Sequence, residues 1–341
     1  MTASKENPEY TAVITMASSG QQFDLTPLLV SLELTHQKEQ LAQCATLTLV
    51  NVAYEGTWLN KMVRARDRVL IFANDGERHE EVFRGFVWTN TYTSALEERE
   101  LVLRCYDNLI FWQESEESEF FPKGRSTQDV VQTLFDKWGV PLEYRYESIT
   151  HDKLALRGTL ADLVTSDILD KVKKDTGKKY AVYMEGDKAI IRTLGDNETF
   201  YRVDTASRAV STKSEETMDG MTTKVVILGK SDDNKKTPVE AEVTGNTDRY
   251  GTLQKLQDRD EKTTLADAKK EAQNVIDEKG QPSWEYELKC GDIPWVKKGD
   301  RINVSVGMIY EAMMLVLSIA RTISNKEKTM TLTMEAVKKD E

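Results

Sequence analysis

One strand pattern occurs twice in this chain, and a repeated module restricts the possible folds more than any single motif does. The first copy reads Asp67-Arg68-Val69-Leu70-Ile71, a polar turn, then Phe83-Arg84-Gly85-Phe86-Val87. The second reads Asp300-Arg301-Ile302-Asn303-Val304, then Gly307, then Val316-Leu317-Ser318-Ile319-Ala320. Both second runs begin 16 residues after the aspartate, which matches Phe83 with Val316. A third apolar run follows in each, Leu101-Val102-Leu103 and Met330-Thr331-Leu332. On this alignment the loop before the third run is about four residues shorter in the second copy. Two readings stand side by side: a duplicated β module, and chance, because short hairpins resemble one another. Duplication would give one polypeptide two near-equivalent surfaces, as a ring of higher symmetry requires.

At 341 residues the chain exceeds what one core usually organises, so two or three domains are expected. Hydrophobic residues, at 39%, suffice for ordinary cores, and no run of about 18 apolar residues exists to span a bilayer. The start, Met1 to Pro8, lacks the apolar stretch of a signal peptide. The chain is therefore expected to stay in the cytoplasm or to leave by a route that needs no signal. A net charge of −11 repels phosphate backbones and disfavours direct nucleic-acid binding. Cys44, Cys105 and Cys290 are odd in number and widely spaced, which reads as small buried residues and not as a disulfide framework. The acidic cluster Glu114, Glu116, Glu117 and Glu119 reads as a solvated loop.

The first hundred residues alternate like antiparallel strands. Val30, Leu32 and Leu34 share one face, as do Ala45, Leu47 and Leu49, and the polar segment His36 to Gln43 joins them as a hairpin. Asn74-Asp75-Gly76 is a turn. The period then changes: after the N-cap candidate Ser126, Val130, Val131, Leu134, Phe135 and Trp138 fall at helical spacing until Gly139 and Pro141. A second helix is predicted over 160–175, closed by Gly177, followed by a hairpin through Tyr180–Tyr183 and Ala189–Ile191. The last third returns to strands, with Lys224 to Leu228, a charged loop Ser231 to Pro238, one helix at 264–279, and a charged tail from Lys338. The fold class is thus α+β, mainly β: two antiparallel β units, each with strands enough for a small barrel or sandwich, and an α/β insert between them. The domains are expected at 1–112, 113–205 and 206–341.

The search for catalytic, cofactor and metal sites is negative. His36, His79 and His151 lie apart, and His79-Glu80-Glu81 is followed by Phe83 where a zinc helix needs a second ligand. No Cys-x-x-Cys pair or Gly-x-Ser-x-Gly elbow occurs. Thr176-Gly177-Lys178 resembles the end of a phosphate loop, but Val172 replaces the first glycine and the segment closes a helix, so Gly177 reads as a C-cap. The recurring Asp67 and Asp300 read as turn residues. Most tryptophans read as core or interface anchors, and Trp88 and Trp112, flanking the end of the first unit, are candidates for contact with a partner.

In this order the motifs resemble the hub proteins of contractile tails, specifically the XkdQ/YqbQ family of PBSX-like prophages, related to late-control protein D hubs. The carriers are Leu47-Thr48-Leu49-Val50-Asn51, Asp67-Arg68-Val69 with Phe83-Arg84-Gly85, and Thr176-Gly177-Lys178-Lys179-Tyr180. To these are added the turn Tyr250-Gly251 and Lys298-Gly299-Asp300-Arg301-Ile302, with Arg66 standing where the second copy has Gly299. The resemblance implies a non-enzymatic homotrimer with two tube-like barrels per chain. Its implied partners are the tail tube protein, the central spike protein, other baseplate proteins and the tape measure protein. Its implied place is a virion or phage-tail-like particle, assembled in the bacterial cytoplasm, without metal or cofactor. A carbohydrate- or receptor-binding module and a cell-wall hydrolase in the 113–205 insert are the competing readings.

Overall fold

The computed structural model describes residues 7–95, 98–204, 209–230, 237–259, 263–307 and 309–337. The charged tail, most of the loop Ser231 to Pro238 and the expected boundary at 205/206 lie outside the described residues. The chain forms two compact units: residues up to Lys213 with those from Tyr286 onward, and Ser214–Glu285.

The larger unit is built on a 13-stranded sheet. Its first seven strands are β1 (Glu9–Thr15), β2 (Gln22–Asp24), β3 (Leu29–His36), β4 (Cys44–Val50), β5 (Arg68–Asn74), β6 (His79–Ala95) and β7 (Glu98–Tyr106). Period-two alternation drives them: in β4, Ala45, Leu47 and Leu49 are buried while Thr46 and Thr48 are half exposed. The inward residues of β1, β3, β4, β5, β6 and β7 meet in a single core around Leu32, Leu47, Ile71, Phe83 and Leu103. A sheet whose first and last strands share one core on one face must curl, so this half is strongly wound. The expected hairpin between β3 and β4 and the turn at Asn74-Asp75-Gly76 are both present.

An α/β segment follows. Helix α1 (Thr127–Lys137) starts where Ser126 accepts a hydrogen bond from the Asp129 N–H, at 3.2 Å. A helical run over 160–176 carries a π-helical middle, Leu163–Leu169, and ends at Gly177, whose φ of 74° lets its N–H bond the Lys173 carbonyl. Both helices bury an apolar face against the hairpin β8 (Tyr180–Glu185) and β9 (Lys188–Thr193). The acidic cluster is not a loop. Glu116–Phe121 is a strand paired with Leu154–Thr159, and alternation keeps Glu116, Ser118 and Phe120 exposed. Lys137 neutralises Glu117 and Glu119 together, which lets carboxylates sit beside one another on a strand.

The sheet then resumes with β10 (Arg202–Asp204), β11 (Ser211–Thr217), β12 (Ser283–Gly291), β13 (Arg301–Val306), β14 (Ile309–Ser324) and β15 (Lys328–Ala336). Its order is β11-β12-β15-β14-β3-β4-β7-β6-β5-β1-β2, with β13 beside β14 and β10 beside β13. A second core forms around Leu288, Ile302, Val304, Met314, Val316 and Leu332. The two cores therefore share one continuous sheet, joined where β14 pairs antiparallel with β3, Ile319 opposite His36 through Ser324 opposite Ser31. The fold is α+β and mainly β, as the alternation implied.

The second unit is smaller. Strand Lys224–Leu228 lies between Val239–Thr244 and Gln254–Asp258, and α2 (Leu265–Lys279) covers one face through Ala268, Ala272 and Ile276. Its helix starts on a Thr264 cap.

Candidate functional site

The two aspartates of the repeat build the same turn twice. Asp67 is buried, and its Oδ2 accepts the Arg64 N–H at 2.8 Å; Asp300 is buried, and its Oδ2 accepts the Lys297 N–H at 2.8 Å. Each aspartate N–H then bonds back three residues, to the Arg64 or Lys297 carbonyl. The residue before each aspartate is left-handed, with φ of 75° at Arg66 and 89° at Gly299. Arg66 thus holds the same turn as the glycine. Its guanidinium lies 4.7 Å from the Phe86 ring centroid and 4.8 Å from that of Phe111, a stacking that offsets the strain of a side chain in that region.

The ladder that follows is also repeated. Arg66 and Asp67 exchange backbone bonds with Val87, and Gly299 and Asp300 do the same with Val316. Hence Val316 corresponds to Val87, not to Phe83, and the matching 16-residue spacing is a coincidence of register. The difference of four residues belongs to the first turn, between β5 and β6, and the third strands align as expected. Val87 sits opposite Cys105 and Val316 opposite Met334, 18 positions onward in each copy. Bulges recur at equivalent places, beside Val87 and Val316 and again after Ile71 and Val304. Five strands therefore correspond: β3, β4, β5, β6 and β7 with β11, β12, β13, β14 and β15. The sixth does not, since β1 is antiparallel to β5 whereas β10 is parallel to β13.

Buried polar groups fasten the copies to each other and to the insert. Arg321 on β14 donates Nε to Asp292 at 3.0 Å and Nη2 to the carbonyls of Ile293 and Pro294, and Asp292 also accepts the Tyr10 hydroxyl. Burial, opposed by Arg321, raises the Asp292 carboxyl above the ordinary aspartate value. Lys298 donates to the carbonyls of Gln37, Lys38 and Gln40, so the second twin turn clamps the β3–β4 loop of the first copy; burial lowers its ammonium to about 8. Nearby, burial pushes the Asp107 carboxyl up to about 7 and the His36 imidazole down to about 3. Arg192 on β9 pairs with Asp300 at 2.5 Å, both side chains almost fully buried, which ties the insert to the second twin turn. Burial raises Asp300, against the pull of the Lys297 N–H and Arg192.

The two tryptophans singled out from sequence part ways. Trp112 is 1% exposed, its ring centroid 4.1 Å from that of Phe135, so its surface is spent on the insert core. Trp88 is 41% exposed, edge-on to Tyr106 and Phe111, and occupies the bulge of β6. No local sequence pattern separates them; the bulge at Trp88 shows only in the register of β6 against β7. Cys44, Cys105 and Cys290 are buried free thiols. Among the described residues no group of three or more His, Cys, Asp or Glu could hold a metal ion, and no helix is long and apolar enough to cross a membrane.

A family profile described as YQBQ-like matches residues 34–335, most of the chain. The chain belongs to the YQBQ-like family. No curated protein matches it. Among solved structures, this YQBQ-like chain is similar to the tail protein from Neisseria meningitidis MC58, at 13% identity and a TM-score of 0.68, with 96% of each chain covered. It is equally similar to the 43 kDa tail protein of prophage MuSo2 from Shewanella oneidensis, at 11% identity, a TM-score of 0.68 and coverage of 96% and 98%. A third neighbour is the E. coli c3393 protein, described as a type VI secretion component structurally similar to T4 tail proteins gp27 and gp5; identity is 8%, the TM-score 0.55 and coverage 91% and 74%. At these identities the likeness is one of fold.

Proposed function

We propose that this YQBQ-like protein is a structural component of a phage tail baseplate, and specifically the hub of a contractile tail. Three chains, each with two related β units, would present six similar modules. A sixfold tail tube could stack on one side of that ring and a threefold spike on the other. The carrying observation is the twin turn: the same buried aspartate, left-handed residue and bulged ladder, built twice in one chain and joined through one sheet. Family membership and the tail proteins among the structural neighbours support the same reading. The partners are then the tube, spike and tape measure proteins and other baseplate components. The protein resides in the virion, defective prophage or tail-like bacteriocin, after assembly in the bacterial cytoplasm, and its work is done by interfaces and not by chemistry.

Light scattering on the purified full chain, alone and with its spike partner, tests the reading. The expected mass is about three times the 38.8 kDa of one chain. A monomer under both conditions, or a particle image with this chain away from the tube–spike junction, overturns it.

A further inference from the structure

Each copy presents a corresponding surface beside its twin turn, and the insert hairpin covers only the second. Counting from Val87 and Val316, Phe86 corresponds to Leu315 and the bulge residue Trp88 to Leu317. Across the ladder, Arg104 corresponds to Thr333 and Tyr106 to Glu335. In the second copy the hairpin β8–β9 lies on this surface: the Gly195 N–H bonds the Gly299 carbonyl at 2.8 Å, Lys179 pairs with Glu335 at 2.5 Å, and Leu317 lines a cavity together with Ala181 and Val182. In the first copy the surface holds Phe86, Trp88 and Tyr106, and Phe111, from the short helix Ile110–Gln113, packs edge-on against the first two. Trp88 is exposed, and so are the arginines that flank the rings, Arg64 and Arg66 in the twin turn and Arg104 on β7. Arg66 stacks on Phe86 and Phe111, and among the described residues neither it nor Arg104 forms an ion pair. A chain of net charge −11 thus sets three guanidinium groups and an exposed indole on one face.

We infer that this face docks an acidic segment of a different protein of the particle, which sets carboxylates against Arg66 and Arg104 and an apolar side chain against Trp88. The insert hairpin of a second copy does not fit here, on three counts. It would bring Lys179 toward Arg104 and Tyr106, where the second copy offers Glu335. The space that Gly299 leaves to Ala181 is taken by the Arg66 side chain. Asp67 Oδ1 already accepts the Ala17 N–H at 2.8 Å, whereas the equivalent oxygen of Asp300 holds Arg192, so a second Arg192 would find no partner. An exposed tryptophan among aromatic rings and arginines is the composition of an interface centre. Carboxylates facing the guanidinium groups would fix the register of the bound segment. The inference rests on the baseplate reading only for where the partner is found.

Photocrosslinking in assembled particles tests it. The full chain carrying Trp88→p-benzoylphenylalanine replaces the native chain, purified particles are irradiated, and the adduct is located by mass spectrometry. The expected result is an adduct with another protein, at a segment rich in Asp and Glu. Adding Arg104→Glu, on the exposed face of β7, should cut the yield about tenfold, and Arg104→Lys should leave most of it. Lysine substitution of the linked carboxylates in the partner should make the same cut without touching this chain, which separates lost docking from lost folding. An adduct with a second copy of this chain, an adduct at a segment without carboxylates, or a yield unmoved by either charge reversal would overturn the inference. No adduct in particles that contain the chain would overturn it and leave the baseplate reading standing, whereas particles without the chain would overturn both.

Discussion

The twin turns predict unequal responses to substitution at one structural position. In Gly299→Ala the new Cβ would lie 2.5 Å from the Ala181 Cβ, at a φ of 89°. The left-handed backbone alone costs an alanine about 1–2 kcal/mol. The overlap with a side chain that cannot swing away adds about 1–3 kcal/mol of overpacking. The expected loss is about 2–5 kcal/mol. At Arg66 the same conformation is already borne by a side chain. Arg66→Gly releases about 1–2 kcal/mol of that strain but loses two stacked rings at roughly 0.5–1 kcal/mol each and about 0.5–1 kcal/mol to the freer unfolded chain. The net runs from a gain of about 0.5 kcal/mol to a loss of about 2 kcal/mol, centred below the loss expected for Gly299→Ala. Urea unfolding followed by tryptophan fluorescence reads both as midpoint shifts at constant slope. Equal shifts for the two variants, or a Gly299→Ala midpoint within error of the parent, would refute the argument that the second turn is closed by packing and the first by stacking.

The remaining expectations use the same measurement. Trp112→Ala should cost about 3–5 kcal/mol as a cavity in the insert core, whereas Trp88→Ala, half in water already, should cost well under half of that. Arg192→Met should cost about 3–5 kcal/mol by leaving Asp300 buried without its partner, and adding Asp300→Asn should restore part of it. Two of the contributions to the pH dependence oppose each other. His36, neutral in the fold down to about 3, takes up a proton on unfolding, so its contribution falls by about 2 kcal/mol from pH 7 to 5. Asp107, protonated in the fold below about 7, releases one on unfolding and contributes about 2 kcal/mol more over the same interval. Relative to the parent between pH 7 and 5, His36→Gln should gain stability on acidification and Asp107→Asn should lose it; parallel profiles would contradict the assignment.

Local elements were legible in the sequence because each is written in a few neighbouring residues. Ser126 caps α1, Gly177 ends the helical run, and alternation marks β3, β4, β5 and β7. The register of the repeat was not. Phe83 and Val87 are four apart in one strand and both point into the first core, so a pattern of period two cannot distinguish them. Only the backbone bonds of Val87 and Val316 do. The acidic run misled because charge suggests solvent, while pairing with Leu154–Thr159 and a shared lysine make it a strand. Trp112 and Trp88 look alike in sequence. Their fates are set by α1, which arrives later in the chain to bury one, and by a bulge that turns the other outward. The seam between β14 and β3 joins residues more than 280 positions apart, and no local pattern announces it.

On the proposed hub reading, that seam would let a duplicated chain do what six identical subunits could not. In a ring of identical modules every junction must use one set of residues, whether it forms early or late. Here the two kinds of junction can diverge. The tethered one is made during folding, at high effective concentration, and it carries the residues that demand burial: Arg321 with its aspartate and carbonyl partners, and Ile323 in the core of the other copy. The corresponding positions on β6, Tyr92 and Ser94, are exposed and lie among threonines, so they leave no apolar strand in water. The divergence extends to the flanks, where the parallel β10 replaces the antiparallel β1, and to the insert, which meets the second twin turn through the buried Arg192 and the first copy through the exposed Asp187, paired with Arg68 and Arg84. On that hub reading, a ring built this way would alternate between two junction types around its circumference, offering threefold features to a spike while the shared five-strand framework kept sixfold spacing for a tube.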